Sequence, residues 1–263
     1  MKKYMLLPAQ VGVALVVILV WHLFTATTLL GNPANARFFF STPVDVAVRI
    51  YEWFAAGTIW YHLGITLLEA TLAFIIGSVG GIAIGFWFAR KPMLAAVFDP
   101  YVKAANALPR VVLAPIFMLW LGLGIWSKVA LGVTLVFFIV FFNVYQGVRE
   151  VSPTLLDNAR MLGASRRQLL RHVYLPSATS WVFSSLHTSV GLAFVGAVVG
   201  EYLGSAAGVG YLILQAEGTF DVNTVFAGIV VLTAFALVLD GLVGLVEKRL
   251  MRWQPKAGET ERL

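Results

Sequence analysis

The chain has 263 residues, of which 59% are hydrophobic and 12% are charged, and its formal net charge is +6. Soluble domains carry about 25% charged residues, so the composition excludes an ordinary soluble domain and indicates an integral membrane protein. The absence of cysteine excludes disulfide bonds and thiolate metal sites. A basic excess can signal nucleic-acid binding, but in a membrane protein it more often sets the orientation in the bilayer.

The first apolar run follows Met1-Lys2-Lys3 and predicts a transmembrane helix over residues 5–30. It is longer than the roughly 7–15 apolar residues of a signal-peptide core and reaches the roughly 20 residues that cross a bilayer. We therefore interpret it as a retained first span. An aromatic and polar loop over residues 31–41 is expected to follow it.

Thr42-Pro43-x-Asp45 marks the start of a further helix over residues 43–56. Threonine is a favoured N-cap, proline suits the first helical position, and an acidic residue suits the first turn. Apolar residues fall on one face of this helix and charged residues on another. Such a pattern is typical of an amphipathic helix that lies at a membrane interface.

Further apolar stretches predict spans over residues 61–89, 93–122, 127–148, 176–203 and 222–247. The expected fold is therefore an all-α membrane domain of six transmembrane helices over residues 1–253, followed by a polar tail over 254–263. The third span contains Pro100, Pro109 and Pro115. Because proline removes a helical hydrogen bond, we expect this span to be kinked.

Three glycines of the second predicted span, Gly77, Gly81 and Gly85, recur at four-residue spacing. This spacing lines small residues along one helix face, where another helix can approach closely. Packing inside the same chain and packing between two chains both fit the pattern. We favour the first.

The basic residues divide unevenly between the two sides of a six-span topology. Only Arg37, Arg49 and Lys128 fall on one side, whereas the side with both termini and the loop over residues 149–175 holds the other basic residues outside the spans. Because basic loops stay in the cytoplasm, we expect both termini and this loop to be cytoplasmic. The same asymmetry explains the basic composition without nucleic acid.

The loop over residues 149–175 is a polar segment between two apolar spans. Ser152-Pro153 repeats the N-cap and first-position proline signature, Gly163 interrupts the helix that begins there, and a second short helix is expected over 165–174, ending against Pro176. A helix, a corner and a second helix, with basic residues at the tip, form a surface suited to docking a partner.

The spacing in this loop resembles the signature of ATP-binding-cassette (ABC) importer permeases, which is E-A-A, three residues, G, nine residues, I-x-L-P. Asp157-Asn158-Ala159 stands at the triplet, Gly163 at the glycine, Val173 at the isoleucine and Leu175-Pro176 at the end. The Asp, the Asn and the Val depart from the pattern. The interval between the glycine and Leu-Pro is kept.

Further segments resemble the nitrate, sulfonate and taurine branch of these permeases, and together they cover nearly the whole chain to Trp253. They are Phe40-Ser41-Thr42-Pro43, Ala107-Leu108-Pro109-Arg110 with Pro115, Leu119-Trp120-Leu121-Gly122-Leu123-Gly124, Gly200-Glu201-Tyr202-Leu203-Gly204, Gly208-Val209-Gly210-Tyr211-Leu212, and the terminal Asp240 with Glu247-Lys248-Arg249.

The resemblance implies a MetI-like type I importer permease fold, with a cytoplasmic coupling helix and a periplasmic-side amphipathic helix, in a bacterial inner membrane. It implies partners as well: two copies of an ATPase subunit that uses ATP and Mg²⁺, an extracytoplasmic substrate-binding protein, a second copy of this chain, and membrane lipid. The residues that contact the ATPase would be Asp157, Ala159, Arg160, Leu162, Gly163, Ala164, Ser165, Arg166 and Arg167. The chain has no G-x-x-x-x-G-K-[ST] phosphate loop, so we expect it to bind no cofactor and to carry no catalysis itself.

Polar and ionisable residues inside spans are costly and therefore candidates for function. The candidates for the translocation pathway are Asn106, Arg110, Glu201 and Tyr202. Arg110 suits an anionic substrate. Glu201 fits either an outer gate or a solvated helix end. The four histidines lack metal-ligand spacing, so no metal site is expected.

We expect the permease to carry a small anionic solute similar to a sulfonate, taurine or nitrate. The same architecture carrying an aromatic acid or a pyrimidine vitamin precursor is the alternative. An intramembrane enzyme is disfavoured because the sequence has neither H-E-x-x-H nor G-x-S-x-G. An ion-driven secondary transporter is disfavoured because no inverted repeat is evident.

Overall fold

A computed structural model describes residues 3–27 and 32–251, and these ranges contain helices and no strand. In chain order the helices are α1 (Lys3–Ala26), α2 (Pro33–Phe40), α3 (Pro43–Ala56), α4 (Ile59–Ala89), α5 (Pro92–Ala107), α6 (Ala114–Leu121), α7 (Ile125–Arg149), α8 (Pro153–Met161), α9 (Arg166–Leu169), α10 (Leu175–Gly204), α11 (Val209–Gly218) and α12 (Val222–Leu250). A 3₁₀ turn over Arg110–Leu113 joins α5 to α6, and a π turn over Leu170–Tyr174 joins α9 to α10.

Five helical stretches in the described ranges are long and apolar enough to cross a membrane, and they lie in α1, α4, α7, the continuous α9–α10 helix and α12. Helices α5 and α6 form a sixth crossing if the pair is taken as one broken span. The predicted all-α architecture of six transmembrane helices is therefore confirmed. The predicted end of the first span beyond residue 27 and the polar tail over 254–263 lie outside the described residues.

Helices α4, α7 and α10 form the core of the bundle, since they share the most extensive contacts in the described chain. Helix α4 runs parallel to α7, and α10 runs antiparallel to both. The end of the bundle where α4 and α7 stop and α8–α9 lie is called the loop end below. The opposite end, where α10 stops and α11 folds back, is called the hairpin end.

The glycine stripe of α4 packs against α7 of the same chain. A β-carbon built on Gly77 would lie 2.8 Å from Cβ of Val136, one on Gly81 would lie 2.8 Å from Cβ of Val140, and one on Gly85 would lie 2.9 Å from the carbonyl oxygen of Phe141. These distances leave no room for a side chain. The predicted packing inside one chain is therefore confirmed, and the stripe is buried before any second copy is considered.

The segment expected to be a loop over residues 31–41 instead contains the helix α2. Asn32 caps it, because its side-chain oxygen accepts a hydrogen bond from the backbone N–H of Ala34 at 3.0 Å, and Pro33 takes the first position. This is the same cap-plus-proline signature that correctly predicts α3. The expectation of a loop was wrong because the segment was interpreted from its aromatic and polar composition, and the capping signature at Asn32-Pro33 was not recognised.

Helix α3 begins at the predicted signature, with the Thr42 hydroxyl oxygen accepting from the backbone N–H of Asp45 at 3.1 Å. The Arg37 guanidinium of α2 donates two hydrogen bonds to the Asp45 carboxylate and holds the pKa of that carboxyl below its usual range. Arg49 reaches the Asp221 carboxylate at 3.3 Å. These ion pairs attach α2 and the start of α12 to α3 at the hairpin end.

The third predicted span is kinked as expected, and the kink is a full break. Helices α5 and α6 meet at an angle of 82°. Leu108 is extended, as a residue before proline must be, and Pro109 begins the 3₁₀ turn that leads into α6. The break places the guanidinium of Arg110 over the ring of Phe138 on α7.

We predict that the close approach of α4 to α7 limits the stability of the bundle. Gly81→Ala should lower the thermal unfolding midpoint of the purified chain in detergent, since its β-carbon would meet Val140 and the carbonyl of Phe137 at 2.9 Å. Overpacking of this kind costs about 1–3 kcal/mol. Gly64→Ala is the matched control on the same helix, because nothing lies within 4 Å of its β-carbon.

Both substitutions gain the same helix propensity, so the difference between the two midpoints measures the steric conflict alone. If Gly81→Ala were as stable as Gly64→Ala, the assignment of α4 and α7 as a closely packed pair would be contradicted.

Candidate functional site

The loop between α7 and α10 forms a sharp corner at Gly163. The backbone N–H of Gly163 donates to the carbonyl of Arg160 at 2.9 Å, and that of Ala164 donates to the carbonyl of Ala159 at 3.0 Å. Gly163 has φ +82°, a conformation that side chains other than glycine rarely adopt. The predicted corner is therefore confirmed, and its geometry depends on glycine.

The second helix of the loop is capped by a reciprocal pair of hydrogen bonds. The backbone N–H of Ser165 donates to Gln168 Oε1 at 2.8 Å, and the backbone N–H of Gln168 donates to Ser165 Oγ at 3.4 Å. This capping box fixes where α9 begins. Arg166 and Arg167 occupy its first turn and are exposed, so the predicted basic tip of the loop is present.

The tip of the loop also exposes large apolar side chains. Leu162 is 89% exposed and Met161 is 78% exposed, and no residue of α8 is buried. Asp157 and Arg160 pair on the same helix at 2.9 Å, so they leave little unpaired charge on this face. The sequence-based list of loop contact residues includes Leu162 but omits Met161. Met161 lies in the same three-residue stretch between the triplet and Gly163, so its position in the motif could have placed it on that list.

Helices α9 and α10 are one continuous helical rod, which differs from the expectation that Pro176 begins a new helix. The π turn over Leu170–Tyr174 bridges them, and the backbone N–H of Leu175 donates to the carbonyl of Leu170. A π turn shifts the hydrogen-bond pattern by one residue, which accommodates a proline that has no N–H to donate. The rod therefore runs unbroken from the loop corner to the hairpin end.

Glu201 lies one turn before the end of this rod at Gly204 and is fully buried, which excludes the solvated helix end as its position in this conformation. Its Oε1 accepts from the hydroxyl of Thr66 at 2.6 Å, and its Oε2 accepts from the backbone N–H of Gly210 at 2.6 Å. The Thr66 hydroxyl in turn accepts from the backbone N–H of Val209 at 2.8 Å. These bonds join α4, α10 and the start of α11.

Two charged residues that sequence reasoning did not select complete this cluster. Glu69 of α4 is 1% exposed and lies close to Glu201, and its Oε2 has no hydrogen-bond partner among the described residues. Lys128 of α7 is also buried, and its Nζ donates to the carbonyls of Leu123 and Gly124. The sequence signal was present, since buried charges inside spans are normally paired. Lys128 was instead assigned to the outer side by its position near the start of a span.

Gly208 makes the cluster possible because its left-handed backbone brings the chain against Glu201. Its φ is +105°, and a β-carbon there would lie 2.1 Å from the carboxyl carbon of Glu201. Tyr202 faces away from the cluster, and its hydroxyl donates to the carboxylate of Glu217 on α11. The hydrogen bonds of Thr66 and Glu201 therefore join three elements at the hairpin end, α4, α10 and α11.

Asn106 and Arg110, both selected from the sequence, come together at the break between α5 and α6. The Arg110 guanidinium donates to the carbonyl oxygen of Asn106 at 2.9 Å and to the side-chain oxygen of Asn106. It also stacks over the ring of Phe138 at 4.9 Å. Nε of Arg110 has no hydrogen-bond partner among the described residues. This arrangement leaves a cationic group with spare donor capacity within the membrane region.

Several other charged residues of the spans have partners that explain them. Lys103 and Asp99 pair at 2.7 Å along α5, as their four-residue spacing predicts. His187 of α10 contacts two carboxylates of α12, with Nδ1 at 2.5 Å from Asp240 and Nε2 at 3.1 Å from Glu247. These contacts join α10 to α12. The described residues contain no group of side chains with metal-binding geometry.

Residues 77–252 match the family model described as the inner membrane component of binding-protein-dependent transport systems. The chain is 32% identical to a putative aliphatic sulfonates transport permease protein of Bacillus subtilis, over 81% of this chain and 77% of the relative. It is 34% identical to a riboflavin transport system permease protein of Chloroflexus aurantiacus, over 86% and 84%. Its identity to a taurine transport system permease protein of Escherichia coli is 27%, over 93% and 89%.

The fold is similar to those of solved transporters. The MetNI methionine ABC transporter in inward-facing conformations matches with a TM-score of 0.58 and 18% identity, over 72% of this chain and 92% of that chain. An amino acid ABC transporter solved with histidines matches with a TM-score of 0.57 and 18% identity, over 79% and 97%. At this level of identity the likeness shows the fold alone, and it agrees with the predicted MetI-like arrangement.

We predict that the Thr66 hydroxyl stabilises the hairpin end. Thr66→Val keeps the shape of the side chain but leaves Glu201 Oε1 and the N–H of Val209 without this partner in a buried place. Such unsatisfied groups cost about 1–3 kcal/mol each, so the thermal unfolding midpoint should fall. Thr71→Val is the matched control on the same helix, since its hydroxyl has no partner among the described residues and faces an apolar cavity.

The two variants are compared in the same detergent by thermal unfolding. Equal midpoints for both would contradict the role assigned to this hydroxyl.

Proposed function

We propose a transport function for this chain, which belongs to the family of inner membrane components of binding-protein-dependent transport systems. In this proposal the chain forms the transmembrane pathway of an ABC importer for a small anionic solute. Within this family it falls in the sulfonate and taurine branch. The observation that carries the proposal is the unbroken α9–α10 rod, which joins an exposed docking loop to the polar cluster at the hairpin end.

Permeases of this family work with an ATPase subunit and a substrate-binding protein, and they are not enzymes themselves. We propose that two copies of the ATPase each receive one loop of a permease pair. ATP and Mg²⁺ would then be bound by the ATPase subunits, and this chain would bind no cofactor. Its contribution is mechanical: it converts a movement at the loop end into opening and closing of a pathway.

The loop has the physical properties of a docking element. Leu162 and Met161 present apolar surface to solvent, which is costly unless a partner covers it. Arg166 and Arg167 stand beside them and would supply charge complementarity at the rim. The residues proposed to contact the ATPase are those predicted from the sequence, namely Asp157, Ala159, Arg160, Leu162, Gly163, Ala164, Ser165, Arg166 and Arg167, with Met161 added.

The rod supplies the route by which docking would affect the hairpin end. A continuous helix of the length of α9–α10 transmits displacement because its backbone hydrogen bonds resist bending. Its far end carries Glu201, which holds both α4 and the start of α11. We propose that movement of the loop is delivered to α11 through this carboxylate. Glu201 is then a connector of the outer gate, and Tyr202 reinforces it through Glu217.

The orientation in the membrane is proposed from the distribution of charge. Arg90, Lys91 and Arg149 lie at the loop end, together with the basic residues of the loop itself. Basic loops remain cytoplasmic, so we place the loop end and both termini in the cytoplasm. The hairpin end then faces the substrate-binding protein, and α3 lies at the periplasmic interface with Val44 and Tyr51 exposed for contact with lipid.

A permease pair is needed because a single chain leaves the candidate pathway open on one side. Arg110 and Asn106 lie at the break beside α7, and the described helices do not surround them, since Asn106 is exposed and Arg110 is only half-buried. We propose a homodimer in which the two breaks face each other. The mass of the purified transporter, measured in detergent, distinguishes this from a single copy.

The proposed substrate is a sulfonate-like, taurine-like or nitrate-like anion, because Arg110 places a half-buried guanidinium at the break and a guanidinium binds oxyanions well. An aromatic acid or a pyrimidine vitamin precursor remains the alternative, since a relative is named as a riboflavin transport system permease and another as a formylaminopyrimidine transport permease.

Replacing Gly163 is expected to uncouple ATP hydrolysis from transport. Gly163→Val should cut solute uptake in proteoliposomes while the chain still folds, because a β-branched residue disfavours φ +82° and would reshape the corner. Gly57→Val is the matched control. Gly57 has φ +74° and, as at Gly163, nothing lies within 4 Å of its β-carbon, but it ends α3 far from the loop.

Uptake and ATP hydrolysis are measured together in vesicles that hold this chain, the ATPase and the binding protein. Normal coupling in Gly163→Val would refute the docking role of the corner, as would equal loss of coupling in Gly57→Val.

Replacing Arg110 is expected to weaken recognition of an anion. Arg110→Gln should raise KM for uptake of radiolabelled taurine or a short alkanesulfonate roughly tenfold to a hundredfold, since a charged hydrogen bond contributes about 1.5–3 kcal/mol. Lys103→Gln is the matched control, because Lys103 is a cation on the same broken span that is already paired with Asp99. An equal KM for the two variants would exclude Arg110 from the substrate site.

A further inference from the structure

A cavity of about 540 Å³ lies at the loop end between α4 and the continuous α9–α10 helix. It is lined by Phe86, Trp87, Arg90, Lys91, Arg166, Leu170 and Leu175. Three of these residues are cations and none is acidic. Two of the cations follow directly from the end of α4, and the third comes from the first turn of α9, 75 positions along the chain from Lys91. The fold therefore collects positive charge from two separate elements around one space.

None of the three cations has a side-chain hydrogen bond or an ion pair within residues 3–27 and 32–251. Their like charges repel one another, and that repulsion has no internal counter-charge. Arg90 and Lys91 alone have an ordinary explanation, because cations at the end of a helix interact favourably with its dipole. Arg166 does not share that explanation, since it stands at the start of α9, where a cation is disfavoured by the dipole.

A second cavity at the same end shows what a satisfied basic pocket looks like in this chain. It measures about 480 Å³ and includes Lys103 and Arg149 among its lining residues. Lys103 pairs with Asp99 at 2.7 Å, and Arg149 donates to the Tyr145 hydroxyl at 2.9 Å while its guanidinium lies over the same ring. Its cations are internally paired. The cavity between α4 and α9 differs in lacking any such partner.

The walls of the unpaired cavity are amphipathic. Phe86, Leu170 and Leu175 form an apolar side, and Trp87 is half-exposed next to it. Because α4 crosses the membrane and ends at Ala89, this part of the chain lies at the boundary between hydrocarbon and headgroups. Tryptophan is enriched at that boundary, and basic pockets between transmembrane helices there bind lipid headgroups.

We propose that this cavity binds one anionic phospholipid, with its headgroup phosphate between Arg90, Lys91 and Arg166 and the start of its acyl chains against Phe86 and Leu170. The apolar wall selects a lipid over a free phosphate ion, which would gain nothing from it. The bound lipid bridges the end of α4 to the first turn of α9. It thereby orders the base of the loop and lowers the repulsion among the three cations.

This inference goes beyond the importer function and stands without it, since lipid binding requires neither an ATPase nor a substrate. If the loop also docks an ATPase, the lipid sits behind that docking surface and supports it. Failure of the lipid experiment would leave the coupling role of Gly163 intact, and failure of the coupling experiment would leave the lipid site intact.

The test measures lipid retention by the purified full-length chain. The chain is delipidated in detergent, mixed with equal amounts of phosphatidylglycerol and phosphatidylcholine, and analysed by native mass spectrometry. Wild-type protein should retain one phosphatidylglycerol in preference to phosphatidylcholine. Arg166→Gln and Arg90→Gln should each weaken that retention about fivefold, which is the effect of removing one cation near a charged membrane surface.

The matched control is Arg167→Gln, which removes the same charge from the adjacent exposed position but not from the cavity lining. It should retain phosphatidylglycerol as the wild type does. Arg166→Lys, which keeps the charge, should restore retention to within about twofold of wild type. All of these residues are exposed, so we expect the variants to fold like the wild type. An unchanged elution volume in size-exclusion chromatography checks this.

Three results would overturn the proposal. The first is equal loss in Arg167→Gln and Arg166→Gln, which would indicate non-specific attraction to the basic loop. The second is equal retention of phosphatidylcholine, which would indicate simple detergent replacement. The third is displacement of the lipid by inorganic phosphate at matched concentration, which would assign the cavity to a free anion.

Discussion

The close approach of three helices is the constraint on which the rest of this structure depends. Lipid tails are as apolar as leucine, so helices in a bilayer gain little from burying apolar surface and instead associate through tight packing. In this chain Gly81 lets α4 touch the backbone of α7, and Gly196 lets α10 approach Gly132 of α7, where an added β-carbon would lie 2.3 Å from the Gly132 α-carbon. Helices α6, α11 and α12 pack directly against this group of three helices.

The polar cluster at the hairpin end follows from that packing. Gly200 removes a side chain where Lys128 passes, so the amine reaches the same buried region as Glu69 and Glu201. Charges in such a place need partners within the protein, because the membrane offers none. Glu201 accepts from Thr66 and from the backbone of α11, and Lys128 donates to the carbonyls of Leu123 and Gly124, whereas Glu69 Oε2 has no hydrogen-bond partner among the described residues. The contacts of Glu201 hold the hairpin in position. Helix packing and the position of α11 are therefore set by neighbouring residues.

Much of this architecture is readable in the sequence, and the reasons for success and failure are local. Thr42-Pro43 predicts α3 because capping is a short-range interaction, and Gly163 predicts a corner because positive φ belongs to glycine. The break at Pro109 follows from the missing N–H. Glu201 was harder to place, since its burial depends on Thr66 and Gly210, and no local pattern reports which distant residues will enclose a carboxylate.

Pro176 shows that a local signal can also predict a feature that the structure does not have. Its chemistry predicts a helix start, yet a neighbouring π turn absorbs the missing donor and the helix continues. The cavity between α4 and α9 could not be predicted either, since Arg90 and Arg166 become neighbours only after the whole bundle forms. Local sequence patterns predict where helices begin. Which distant charged residues become neighbours depends on how the helices pack.

The π turn over Leu170–Tyr174 has a geometric consequence of its own. One additional residue in a helical turn rotates everything beyond it by roughly 100° about the axis. The direction in which the loop tip points around the helix axis is therefore set at this π turn, several residues away from the tip itself. If two chains had identical loops and only one had this extra residue, the same loop side chains would point in different directions around the helix axis. The direction in which the loop tip points therefore depends on the helix register as well as on the loop sequence.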